Sequence, residues 1–320
     1  MARQFVVGVD IGGQTSKIGV VDARGEVLAQ SVIRTDTFGD DADAYIAALA
    51  EAIKACIAAA DKTTEDIRGI GVGAPTGNYY TGDVAFAPHL AWAAKSAVPL
   101  AKKLSDACGV PVSLTNDANA AAVGEMAYGA ARGMKNFIMI TLGTGVGSGI
   151  VVDGKVLYGH DGFAGELGHT CVVRHNGRTC GCGKTGCLEA YCSAMGIART
   201  AREWLEASGQ PTPLRDLQNI TSKDIYDAAK QGDNFALRLF DYTGTLLGQS
   251  FADFVAFSAP EAIVLFGGLA RAKEFLYEPM RRAMEDNLLK IWKGKVKIVF
   301  SELKESDAAI LGASALAWEL

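Results

Sequence analysis

No stretch of this 320-residue chain approaches the roughly 20 consecutive apolar residues that cross a bilayer. A helical span and a membrane partner are therefore excluded. No basic run interleaved with aromatics occurs either, and 36 acidic residues outnumber 31 basic ones for a net charge of −5. Nucleic acid is not an expected partner. The opening MARQFVVGVD lacks the apolar run of a secretion signal, so the expected compartment is the cytoplasm. No Gly-Lys-Ser/Thr opens a helix, which excludes a P-loop. The glycine-rich turns lead from strand to strand, which excludes a Rossmann fingerprint. What remains is an ordinary globular composition, 49% apolar and 21% charged. Its length exceeds one simple core and implies two domains.

Residues 165–189 read GELGHTCVVRHNGRTCGCGKTGCLE. Cys180, Cys182 and Cys187 form a Cys-x-Cys-x4-Cys run, with His169 eleven residues upstream. Four such donors are what a closed tetrahedral zinc site needs. Five of the seven cysteines fall between Cys171 and Cys192, which also suits a disulfide-stapled loop. The odd count and the absent secretion signal oppose disulfides, as does the close spacing of Cys180 and Cys182. In a reducing compartment clustered thiols bind metal. Cys171 or Cys192 could replace one ligand, although both also fit as small buried apolar side chains. Glu166 and Glu189 flank the cluster and are not needed as ligands, so both are left to bind something else.

Two segments repeat. Residues 5–28 and 137–157 each read as a strand, a glycine-rich turn, a second strand ending Val-Val-Asp and a third strand. Asp153 follows Asp22 by 131 residues, and the same spacing pairs Gly12 with Gly143 and Asp10 with Thr141. Each turn alone could be a plain hairpin connection. Two in related positions suggest backbone N–H groups cradling phosphate oxygens from both sides. Asp10, ending the first strand, could hold Mg2+ directly or through water. The duplicated unit predicts an α/β fold of two domains facing a cleft. Helices are expected over 41–60, 118–131, 195–207, 235–257 and 307–319, and strands over 111–114, 263–266 and 297–300. Asn116 and Asp117, between a strand and an Ala-rich helix, read as a helix cap for one of the pair. Gly267 and Gly268 would allow close approach of a flat or charged ligand.

Taken together, DIGG, LGTGVGSG, GELGH and CGCGKTGCLE resemble the ROK family (repressor, open reading frame, kinase) from about Val7 to Gly312. The resemblance implies the two-domain actin-like ATPase fold, a duplicated ribonuclease H-like architecture. Residues 1–117 would form a small α/β domain completed by helix 305–320. Residues 118–304 would form a large α/β domain carrying a zinc-binding loop over 166–192.

The branch most similar is the bacterial glucokinases, which implies ATP-dependent phosphorylation of the 6-hydroxyl of a hexose, glucose first. N-acetylglucosamine, N-acetylmannosamine, fructose and allose are alternative acceptors, and a non-catalytic sugar sensor is a further reading. Asp117 then matches the general base. Asn116, Glu166, His169 and Glu189 match sugar contacts, and His169, Cys180, Cys182 and Cys187 match the structural Zn2+ ligands. Asp10, Gly12, Gly13, Thr15, Lys17, Thr144, Gly145, Gly267 and Gly268 match the ATP and Mg2+ side. Gln14 stands where the family usually has Thr, leaving Thr15, Ser16 or Lys17 for the phosphate contact. His89-Leu90-Ala91-Trp92 replaces an Asn-Leu-x-Trp element, with Trp92 a candidate to touch substrate. The resemblance also implies a homodimer or homotetramer. The strand beginning at Phe5 leaves no room before it for the repressors' DNA-binding module.

Overall fold

The computed structural model describes residues 4–320. Contacts divide the chain into two units, one holding the chain up to Met134 with Lys155–Gly165 and Glu302–Leu320. The other holds Lys135–Gly154 and Glu166–Ser301.

In the first unit, β1 (Phe5–Ile11), β2 (Thr15–Asp22) and β3 (Val27–Arg34) form an antiparallel meander. After α1 (Ala42–Ala59), β4 (Ile67–Gly73) adds to β1 in parallel. Helix α2 (Leu100–Cys108) and β5 (Val112–Thr115) complete the sheet order β3-β2-β1-β4-β5. One face is covered by α1, whose Tyr45, Leu49 and Ile53 are fully buried with Val7, Val9, Ile18 and Val20. Burying each such side chain contributes about 1.5–3 kcal/mol. The central strands are apolar on both faces because the other face is covered too. α9 (Glu305–Leu316) lies there at very short range, over glycines. A Cβ on Gly71 would sit 1.9 Å from the Ala313 carbonyl oxygen, and one on Gly8 2.1 Å from that of Ile310.

Helix α3 (Asp117–Tyr128) packs against α9, with Gly124 over Gly312 so tightly that a Cβ would come within 2.6 Å of the Gly312 Cα. The sequence reading divides the domains at 117/118. The structure instead keeps α3, and the chain through Met134, in the first unit, because α3 has its packing partner there.

The second unit repeats the pattern. β6 (Phe137–Leu142) and β7 (Val146–Val152) are antiparallel, and a two-residue β8 (Lys155–Val156) follows in sequence. Helices α4 (Glu189–Cys192), α5 (Ala194–Ala207), α6 (Ser222–Lys230) and α7 (Asn234–Ser258) precede β9 (Ala262–Phe266). Then come α8 (Lys273–Asn287) and β10 (Lys297–Phe300), with β9 parallel to both β6 and β10. The order β7-β6-β9-β10 matches β2-β1-β4-β5 of the first unit. Its core joins Ile138, Ile140 and Leu142 to Phe240, Leu247 and Phe251 of α7. Gly244 and Gly248 let α7 approach α8 closely; a Cβ on Gly248 would sit 2.2 Å from the Met280 carbonyl oxygen. Among the described residues no helix is long and apolar enough to cross a membrane.

Candidate functional site

Asp10, next to last in β1, lies directly opposite Lys17 on β2, so the two share one face of the sheet. Alternation puts Thr15 on that face and Ser16 on the other. The backbone turn between them closes through Gly12 N–H to the Thr15 carbonyl at 3.0 Å. Ser16 is fully buried, its hydroxyl 2.7 Å from both Thr35 Oγ1 and Tyr45 OH. Ser16 is thus removed from the phosphate-contact candidates, while Thr15 and Lys17 remain. Gly13 faces the His89 carbonyl, at 3.1 Å from where a Cβ would stand. Trp92 is 4% exposed and stacks on Tyr45 with centroids 4.7 Å apart. Its ring braces the loop against Tyr45 of α1.

Asn116 caps α3, its Oδ1 accepting from Ala118 N–H at 2.9 Å. Asp117 Oδ1 accepts from the same N–H at 2.7 Å. The strand register brings this acid to Asp10. Gly73 of β4 pairs with Asp10, and a Cβ there would stand 3.6 Å from Asp117 Cα. Asp117 keeps accessible surface, yet the protein around it displaces enough water to raise its pKa, against two backbone hydrogen bonds that lower it. The sequence reading takes Asp117 at the ordinary value near 3.9; the crowded setting makes it a stronger base. Asp10 is half-buried, and burial followed by repulsion from Asp117 pushes its pKa up to about 6, with Lys17 opposing.

In the second unit the turn between β6 and β7 closes through Gly143 N–H to the Gly145 carbonyl at 3.0 Å, with Thr144 exposed at its tip. Phe266 at the end of β9 pairs with Thr141, so Gly267 and Gly268 emerge at the same sheet edge as this turn. Gly267 has φ +104° and abuts the Leu142 backbone, which only glycine tolerates. Gly268 has open space where a side chain would be.

His169, Cys180, Cys182 and Cys187 place their donor atoms within 4.8 Å of one another. Cys182 and Cys187 sulfurs are 3.7 Å apart, and Cys180 Sγ lies 3.8 Å from His169 Nδ1. Two thiolates on a tetrahedral zinc with bonds of about 2.3 Å would be about 3.8 Å apart. The four residues therefore fit a closed zinc site once the widest donor pair draws in by about 1 Å. Burial, with Cys182 and Glu189 adding to it, pushes the Cys180 thiol up to about 12, so a bound cation would have to displace that proton. Cys192 is fully buried in the α7 core, and Cys171 faces the Thr185 carbonyl, so neither joins the cluster. His169 Nε2 lies 3.9 Å from Glu166 Oε2, beyond hydrogen-bond range. Glu189 reaches Cys180 Sγ with Oε1 at 3.4 Å and accepts from Val146 N–H with Oε2 at 3.0 Å. Lys184 Nζ donates to the His169 carbonyl at 2.8 Å, a brace that spacing alone does not reveal.

The ROK family profile matches residues 6–319. The chain belongs to the ROK family. A glucokinase of Halalkalibacterium halodurans is 39% identical over 89% of this chain and 86% of its own. One from Thermotoga maritima is 36% identical over 99% and 98%. The crystal structure of a ROK family glucokinase from Streptomyces griseus with glucose and AMPPNP superposes with a TM-score of 0.80. It is 33% identical and covers 99% of this chain and 100% of its own. The fold is accordingly the two-domain actin-like ATPase fold.

Proposed function

We propose that this protein transfers the γ-phosphoryl group of ATP to the 6-hydroxyl of a hexose, with glucose as the first candidate. The observation that carries the proposal is Asp117. Its carboxylate is reachable and is raised in pKa by desolvation. Such a group is suited to accept a hydroxyl proton as the new P–O bond forms. Likeness to glucokinases over nearly the whole chain supports glucose among hexoses.

Phosphoryl transfer depends on alignment and charge neutralisation more than on covalent chemistry. The backbone N–H groups of the Gly12–Gly13 and Thr144–Gly145 turns would hold phosphate oxygens, with Gly267 and Gly268 beside the nucleotide. Thr15 and Lys17 would complete the first turn. Asp10 would hold Mg2+, which when bound would neutralise phosphate charge. Ionising a carboxylate whose pKa is near 6 next to a second acid is what a divalent cation favours. Asn116, Glu166, His169 and Glu189 would bind sugar hydroxyls, and a missing hydroxyl would leave a buried acceptor unpaired. Zinc at His169, Cys180, Cys182 and Cys187 would have no open position and would supply order, not chemistry.

A coupled assay of ADP release across glucose, fructose, allose, N-acetylglucosamine and N-acetylmannosamine tests the proposal. Glucose should give the highest kcat/KM; failure of every sugar to stimulate ADP release would end it.

A further inference from the structure

Glu189 enters the sequence reading as a sugar contact on a loop separate from the phosphate turns. Its surroundings say more. One carboxylate oxygen accepts the Val146 N–H, the first residue of β7 after the Thr144–Gly145 turn. A Cβ on Gly145 would lie 2.4 Å from that same oxygen, so the glycine is needed to admit the carboxylate. The rest of the segment closes on the turn as well. Ala194 N–H donates to the Gly143 carbonyl at 2.9 Å. Leu167 N–H donates to Ser148 Oγ at 3.0 Å. Gly168 lies against Val146 so closely that a Cβ would sit 2.0 Å from its carbonyl oxygen.

We infer that Glu189 is a positioning residue for the Thr144–Gly145 turn, through its hydrogen bond from Val146 N–H, and so sets affinity for the triphosphate as well as for the sugar. This rests on the proposed kinase reading for the role of the turn. The carboxylate holds the Val146 amide at one end of the turn while Ala194 holds the Gly143 carbonyl at the other. The N–H groups between are thereby aimed before any nucleotide arrives, which is what an oxyanion-binding turn requires.

Two conservative substitutions separate this role from simple charge. Glu189→Gln keeps the chain length, and its amide oxygen can still accept from Val146 N–H. Glu189→Asp keeps the charge but withdraws the carboxylate by one methylene. With the wild-type protein as reference, Glu189→Asp should raise the KM for ATP at least about fivefold and speed hydrogen exchange of the 142–147 backbone. Glu189→Gln should leave both within about twofold while raising the KM for glucose. AMPPNP titration without sugar should rank the three proteins in the same order. The opposite order, with Gln worse than Asp for nucleotide, would overturn the inference. So would unchanged exchange at 142–147 in Glu189→Asp. Exchange and AMPPNP binding can be read even if no hexose is phosphorylated, so failure of the kinase reading and failure of the clamp are distinguishable.

Discussion

In the first half of the duplicated pattern, the turn between β1 and β2 rests on hydroxyls and aromatic stacking. Ser16, Thr35 and Tyr45 share hydrogen bonds beneath it, and Tyr45 stacks on Trp92. In the second half, the equivalent turn between β6 and β7 rests on a carboxylate from the cysteine-rich segment. The residues ahead of the turns differ in the same sense. Asp10, whose pKa is raised to about 6, corresponds to Thr141, whose hydroxyl accepts the Gly147 N–H at 3.1 Å. One strand–turn–strand pattern, used twice with different closing hydrogen bonds, thus carries an acid on one side and a neutral cap on the other. The difference teaches that the glycine pattern specifies a turn, while its neighbours decide what each copy binds and how it is braced.

The largest expected effect lies in the first half. Asp117→Asn removes the base without changing volume, and kcat should fall by about 100-fold or more with the melting temperature nearly unchanged. Retained turnover would leave that half without its chemistry. Because burial raises the Asp117 pKa, kcat should decline on acidification at a pH above the ordinary carboxylate range near 3.9.

The second half should answer to metal. Cys187→Ser, at a fully buried ligand, should reduce bound zinc below one per chain by metal analysis. The melting temperature should fall by on the order of 5–10 °C. If the variant keeps full stability with no zinc, the loop stands by packing alone.

Asp10 supplies a smaller test with a definite sign. Its folded pKa is raised, so its contribution to stability is present below about 3.8 and is lost as pH rises through about 6. Asp10→Asn should therefore stabilise the ligand-free protein at pH 7.5 by at most about 3 kcal/mol and do little at pH 4. Equal effects at both pH values would contradict the raised pKa of Asp10. The smallest change is Ser16→Ala, which removes one member of the hydroxyl network and should cost about 1–2 kcal/mol in denaturant unfolding.

Much of this was legible in the residues. The strand–turn–strand repeat, the helix over 235–257 and the Cys-x-Cys-x4-Cys cluster follow from periodicity and donor spacing, which are local properties. The placement of α3 was not legible, because it depends on Gly124 meeting Gly312, nearly 190 residues apart in sequence. Helix α8 contains Pro279, ordinarily a helix breaker, and forms because α7 offers Gly244 and Gly248 as a close-packing surface. The raised pKa values of Asp10 and Asp117 depend on a strand register that no motif records. The inward turn of Ser16 could have been found by alternation from the apolar Ile18 and Val20.

Phosphoryl transfer from ATP to glucose is the reaction proposed for this chain. The most direct measurement is ADP release by the zinc-loaded protein with and without glucose, with the sugar product quantified in parallel. The account predicts that glucose accelerates ADP release strongly, with one glucose 6-phosphate formed per ADP. Equal ADP release with and without sugar, and no phosphorylated product, would contradict it.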